Sequence, residues 1–283
     1  MDFFHEYNQI ANELRIRFQN EIKSTINLAR SYGKIGEVNL ILQDLDQASK
    51  ALSKCTDIFQ EILQKYPNDL ETSNELVVYF MFLGDVHNVN GQPKQALSIY
   101  KKTLHLAEEL HQKAPLELSY KSNLVGIYGK IGDIYLASRE LKKALSFFEQ
   151  FQEMSQELYR VFPTHLRLKN NLATAYEKLA QTNMLSGNLE DALSFAKENN
   201  VLFSELYQQS PANIMICKSL SASNILLGNI LFMTGEKGKA YRLLKENVKL
   251  IKKMIKNFSS SSDFEHNLNI TKTLMGLISN PIT

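Results

Sequence analysis

Apolar residues recur at spacings of three and four along almost the whole chain, and short polar turns interrupt them at regular intervals. The stretch NNLATAYEKLAQTNMLSGNLEDALSFAKENNVLFSELYQ, beginning at Asn170, shows a helical period, a Gly-Asn turn, and the same period again. This pattern predicts a helical hairpin. Each first helix runs from just after a proline to a turn at Gly91, Arg139, Gly187 or Gly235, and each second helix runs from there to the next proline. Glycine after a helix supplies the left-handed closing residue, while proline restricts the residue before it and opens the next helix.

The hairpins are periodic. Pro67, Pro115, Pro163 and Pro211 stand 48 residues apart, and a period in this range means stacked repeats. One register carries Leu28, Leu76, Leu124, Leu172, Leu220 and Leu268. A second carries Gly36, Gly84, Gly132, Gly228 and Gly276, with Ala180 in the missing place. A third reads Ala48, Ala96, Ala144, Ala192 and Ala240, and an aromatic row of Tyr32, Phe80, Tyr128 and Tyr176 breaks at Asn224. Glycine inside a helix costs roughly 1 kcal/mol relative to alanine. The glycine row, preceded by Ile35, Leu83, Ile131 and Leu227, therefore predicts close contact between helices. The alanine row predicts the same on the second helix, where a larger side chain would overpack by about 1 to 3 kcal/mol.

An aromatic residue, Leu-Gly or Ile-Gly after it, a turn, and Ala twelve after the Gly resemble the tetratricopeptide repeat. FMFLGD at Gly84 with KQAL at Ala96, and YGKIGD at Gly132 with KKAL at Ala144, are the clearest copies. The common repeat has 34 residues, so a repeat of this length adds about two turns to each helix. The closing proline is displaced accordingly, and Tyr or Phe stands where Trp is usual. Phrases such as NLATAYEKLA and GNLEDAL are similar to those of long bacterial repeat arrays, often fused to or partnered with signalling or defence modules. The resemblance implies an all-α, right-handed α-solenoid that binds a peptide or partner protein in a concave groove and is not an enzyme. The alternative is a structural or regulatory subunit that self-associates or docks an effector.

Phe4, Ala11, Leu14 and Phe18 fall on the positions of Phe148, Ser155, Leu158 and Phe162, so residues 2–18 read as half a repeat. Repeats then span 19–66, 67–114, 115–162, 163–210 and 211–258, and a capping helix lies in 259–283, where SSSSDF at 259–264 replaces the proline slot. The expected architecture is one solenoid over 1–283 with about twelve helices, whose units cannot bury their apolar faces alone.

Composition agrees with long helices: 12 Gly and 6 Pro are too few to punctuate many short strands. Two cysteines make no disulfide framework, and the opening MDFFHEYNQ lacks the basic residues of a secretory leader, so a cytoplasmic location is expected. The longest apolar stretch, LVVYFMFL at 76–83, is too short to cross a bilayer, and no transmembrane segment is expected. A net charge of +2 gives no reason to expect nucleic acid as a partner. No phosphate loop, serine elbow or paired-cysteine spacing is present, and the six histidines share no register. No cofactor or metal is expected. Cys55 and Cys217 read as buried small hydrophobes.

Two surfaces remain as binding candidates. The position before the leucine row reads Asn27, Glu75, Asn123, Asn171, Ser219 and Asn267. An amide both donates and accepts, so this ladder either holds a ligand backbone or ties each repeat to the preceding one. Further along the same face lie Lys34, Lys130 and Lys178, then Glu37, Asp85, Asp133, Gln181 and Asn229. Lys34 with Glu37 and Lys130 with Asp133 are spaced as helical ion pairs, and this mixed charge does not form a basic cradle for a terminal carboxylate. The second surface is the last second helix. Lys239, Arg242, Lys245, Lys249, Lys252, Lys253 and Lys256 share one arc, beside Ala240, Leu244, Val248, Ile251 and Ile255. It reads either as a solvated outer face or as an electrostatic dock for an acidic partner or anionic surface.

Overall fold

The computed structural model describes residues 22–258 and 262–279, with isolated positions 6, 9, 10 and 13. The half repeat expected at 2–18 and most of the serine run lie outside the described residues. Within them there are eleven helices and no strand. First helices are α1 (Ile22–Ile41), α3 (Leu70–Val89), α5 (Leu118–Ala137), α7 (Leu166–Leu185), α9 (Ile214–Met233) and α11 (Ser262–Ser279). Second helices are α2 (Leu45–Lys65), α4 (Pro93–Lys113), α6 (Leu141–Val161), α8 (Leu189–Gln209) and α10 (Lys237–Asn257). Starts of successive first helices, and of successive second helices, are 48 residues apart.

The turns follow from local chemistry. The five first helices from α1 to α9 end in the same motif: the backbone N–H of Asp44, Gln92, Glu140, Asn188 and Glu236 reaches back five residues, to the carbonyls of Asn39, His87, Tyr135, Asn183 and Leu231. That closure needs a left-handed residue just before the donor. Gly91, Gly187 and Gly235 occupy it at φ of 70°, 81° and 85°, and Gln43 and Arg139 occupy it at 61° and 60°. The prolines sit in the opposite turn, and the next helix starts three residues later, where Asp69 accepts from the Thr72 N–H and Asn213 from those of Met215 and Ile216.

By compactness the chain divides into two units, residues 1–134 and 135–283, with the boundary inside α5. In the first unit α1 packs on α2, α2 on α3, α3 on α4, and α1 also touches α3. Its core joins Leu28, Leu52, Phe59, Leu76 and Tyr79. In the second unit consecutive helices from α6 to α11 pack in order, and α9 touches both α7 and α11. Its core includes Leu172, Phe203, Ala240, Leu244 and Phe264. All five residues of the alanine row are fully buried, and Leu28 to Leu220 of the leucine row are buried.

Two readings change. The helix α9 is long and apolar enough to cross a membrane by length and composition, which the 76–83 stretch did not suggest. Most of its most apolar stretch is buried inside the protein, as in a core helix. On α10 the buried arc is Ala240, Leu244, Asn247, Ile251 and Met254, whereas Val248 and Ile255 are half-buried. Asn247 fits there because its amide donates to the Ser221 carbonyl and to Thr271 Oγ1, both at 3.2 Å, and accepts from Asn224 at 3.1 Å.

Candidate functional site

On the first-helix face, polar side chains reach from one repeat to the next. Asn123 Nδ2 donates to Asn74 Oδ1 at 2.7 Å, and Asn267 Nδ2 donates to Ser221 Oγ at 3.3 Å. Glu75 receives Arg30 Nε at 2.9 and 3.0 Å, with a further contact from Nη2, and Glu71 lies 3.4 Å from the same guanidinium. These partners belong to the neighbouring first helix. Asn27 and Asn171 are half-buried. Asn171 has no side-chain hydrogen bond among the described residues, and Asn123 has none besides that to Asn74.

The charged positions behave alike. Lys34 pairs with Glu37 at 2.9 Å as the spacing predicts. Lys130 instead reaches Asp85, at 2.6 and 2.8 Å, because the neighbouring first helix brings that carboxylate closer than a turn of its own helix does. Tyr100 donates to the same carboxylate at 2.5 Å, and burial together with the Asp85 charge pushes its phenol well above the ordinary range. Asp133 is exposed and Lys178 half-buried. Asn229 donates to Met184 Sδ at 3.6 Å, again one repeat back. Each unit's first helices thus carry paired polar groups, with amide valences to spare at Asn123 in the first unit and at Asn171 in the second.

On α10 the whole basic arc is exposed: Lys239, Arg242, Lys245, Lys249, Lys252, Lys253 and Lys256. Lys239 pairs with Glu236, Lys249 pairs with Glu246 at 2.8 Å, and Arg242 donates to the Gly238 carbonyl at 3.3 Å. Lys245, Lys252 and Lys256 carry no ion pair among the described residues. Sequence reasoning missed a cleft beside this arc, of about 440 Å³, bounded by α8, α9 and α10. The break in the aromatic row at Asn224 was its signal, since that residue lies in the lining.

Cys55 and Cys217 are both buried and free, and burial pushes both thiols up. Among the described residues no group of three His, Cys, Asp or Glu side chains is placed to hold a metal.

Residues 29–61 and 125–158 match the tetratricopeptide repeat family model. The chain is a tetratricopeptide repeat protein. No curated protein sequence matches it. Solved structures do. BtubC (BKLC) from P. vanneervenii superposes with a TM-score of 0.68 at 14% identity, covering 89% of this chain and 90% of that one. The apo form of RapI superposes at 0.69 and 14% identity, covering 97% of this chain and 64% of that one. The Rap conjugation regulator of plasmid pLS20, solved with the Phr* peptide, gives 0.54 at 13% identity, covering 93% and 63%. The chain therefore spans less than two thirds of either Rap protein, and at these identities the likeness is one of fold.

Proposed function

We propose that this tetratricopeptide repeat protein is a non-catalytic interaction scaffold that holds a peptide or partner-protein segment along its first-helix face. The observation that carries this reading is a half-buried asparagine in each unit, Asn123 in the first and Asn171 in the second, with amide valences left over for a ligand backbone. On the first helices of the first unit Lys34, Lys130, Asp85 and Asp133 would flank the ligand, and on those of the second Lys178 and Asn229. The bound Phr* peptide of one structural neighbour is consistent with it. The test is affinity capture from the native host with wild type and with Asn123→Ala plus Asn171→Ala. The double variant should lose the captured partner. Its stability should fall by only about 0.5 to 1.5 kcal/mol, for the one hydrogen bond to Asn74. Capture of the same partner by both proteins would sink the reading.

The exposed basic arc on α10 favours a second reading, in which the scaffold is a structural or regulatory subunit that docks an acidic partner or anionic surface there.

A further inference from the structure

The cleft between α8 and α10 lies where the two rings of the preceding hairpin are replaced by smaller side chains. In the preceding hairpin Tyr176 of α7 stacks on Phe195 of α8, with ring centroids 6.1 Å apart. One repeat later the same two positions are Asn224 of α9 and Leu243 of α10, and both line the cleft. Asn224 cannot swing in to fill the space. It accepts from Asn200 Nδ2 at 2.7 Å and donates to the buried Asn247, so its amide is held at the floor.

What lines the remaining space selects a ligand. Leu220, Leu243 and Leu250 offer an aliphatic surface, Ser204 and the Tyr207 hydroxyl offer hydrogen bonds, and Lys249 and Lys253 stand exposed at the mouth, where Glu246 also lines the cleft and leaves the two lysines in excess by one charge. Lys253 Nζ lies 3.5 Å from Tyr207 Oη, and the Glu246 that partners Lys249 is about two-thirds exposed, so neither cation is locked in place. Beyond the mouth the same helix carries Lys245, Lys252 and Lys256 with no ion pair among the described residues. An aliphatic floor under a cationic rim does not suit a bare anion, and a single ring, Tyr207, gives little for bases to stack on.

We propose that this cleft binds an acidic peptide segment of a partner protein, with an aliphatic side chain seated on the leucines and carboxylates on Lys249 and Lys253. The site lies on second helices and α9, apart from the first-helix face. It rests on the reading of α10 as a docking face and gives that face a defined ligand.

The test is fluorescence polarisation at low salt with a fluorescein-labelled peptide of about 14 residues, built from glutamate and leucine at helical spacing. A lysine-leucine peptide of the same pattern and a glutamate-serine peptide serve as controls, and phosphatidylserine vesicles are run beside them. The glutamate-leucine peptide should bind best, and salt should weaken it. Ser204→Trp, which fills the cleft, and Lys249→Ala with Lys253→Ala should each weaken it about tenfold. Lys252→Ala with Lys256→Ala, on the same helix outside the cleft, should cost far less, and Glu246→Gln should tighten binding by freeing Lys249. Circular dichroism melts check folding. If Ser204→Trp does not fold, Leu243→Phe restores the ring found at Phe195 and should block the peptide equally. Asn171→Ala should bind this probe like wild type, so the first-helix reading and this one can fail separately. Equal loss from both lysine pairs with no effect of the filled cleft would overturn the proposal. So would binding of vesicles without binding of the peptide.

Discussion

A Cβ placed on Gly84 would lie 2.3 Å from Tyr100 Cε1, one on Gly36 2.4 Å from Leu52 Cγ, and one on Gly228 2.7 Å from Leu244 Cδ2. Leu52, Tyr100 and Leu244 share one register on the second helices, so each glycine is the socket for a large side chain. At the fourth hairpin the sizes change together: Ala180 replaces the glycine, Ala196 stands in the facing register, and both are buried in one cluster. Gly84→Ala should therefore destabilise by about 1 to 3 kcal/mol, because the Tyr100 ring is itself tied to Asp85 and cannot withdraw freely. Gly276 is different. It is exposed, and a Cβ there would meet nothing within 4 Å among the described residues. Gly276→Ala should raise stability by up to about 1 kcal/mol, through helix propensity alone. Thermal melts of the two variants should move in opposite directions. The glycine row was plain in the sequence, and its steric reason holds at Gly36, Gly84 and Gly228, each followed by a second helix. It fails at Gly276 because α11 has no second helix after it among the described residues.

At the scale of elements, the five turns between first and second helices share one backbone shape but not one residue. Gly91, Gly187 and Gly235 mark three of them, and Arg139 was recognisable as a fourth by spacing. Gln43 escaped notice because LQDLDQ contains no glycine, although Asp44 caps the next helix by accepting from the Gln47 N–H at 3.2 Å. A side chain at positive φ crowds its own carbonyl, at a cost of about 1 to 2 kcal/mol, part of which glycine returns through its greater freedom when unfolded. Gln43→Gly and Arg139→Gly should each raise stability by about 0.5 to 1 kcal/mol, whereas the same change at exposed Lys50, inside α2, should lower it. Denaturant melts check this, and a fall at Gln43 or Arg139 would show that the side chain itself holds the turn. Helix identity was thus legible from periodicity, while polar pairing from one repeat to the next was not. Lys130 looked committed to Asp133 by linear spacing, and only stacking shows Asp85 to be the nearer carboxylate.

For the whole molecule, the periodic part was readable and the aperiodic part was not. The lysine arc on α10 could be counted along one helix, but the cleft beside it comes from volume removed on two helices at once, at Asn224 and Leu243. A break in a row announces an exception without saying whether a neighbour fills the gap. The two buried thiols bear on the whole chain in another way. Cys55 lies in the unit of residues 1–134 and Cys217 in that of 135–283, each fully buried with its thiol pushed up, and Cys217 Sγ sits 3.4 Å from the Pro211 carbonyl. It is the thiolate that attacks a disulfide reagent and expels the reagent's other sulfur, so neither cysteine should react until its surroundings open. Nature has in effect left one chemical clock in each half. With Cys55→Ala and Cys217→Ala used one at a time, labelling by a chromogenic disulfide should be slow in native buffer. Each thiol should then accelerate at its own denaturant concentration, timing the opening of its half alone. A single shared acceleration would mean that the 283 residues open as one.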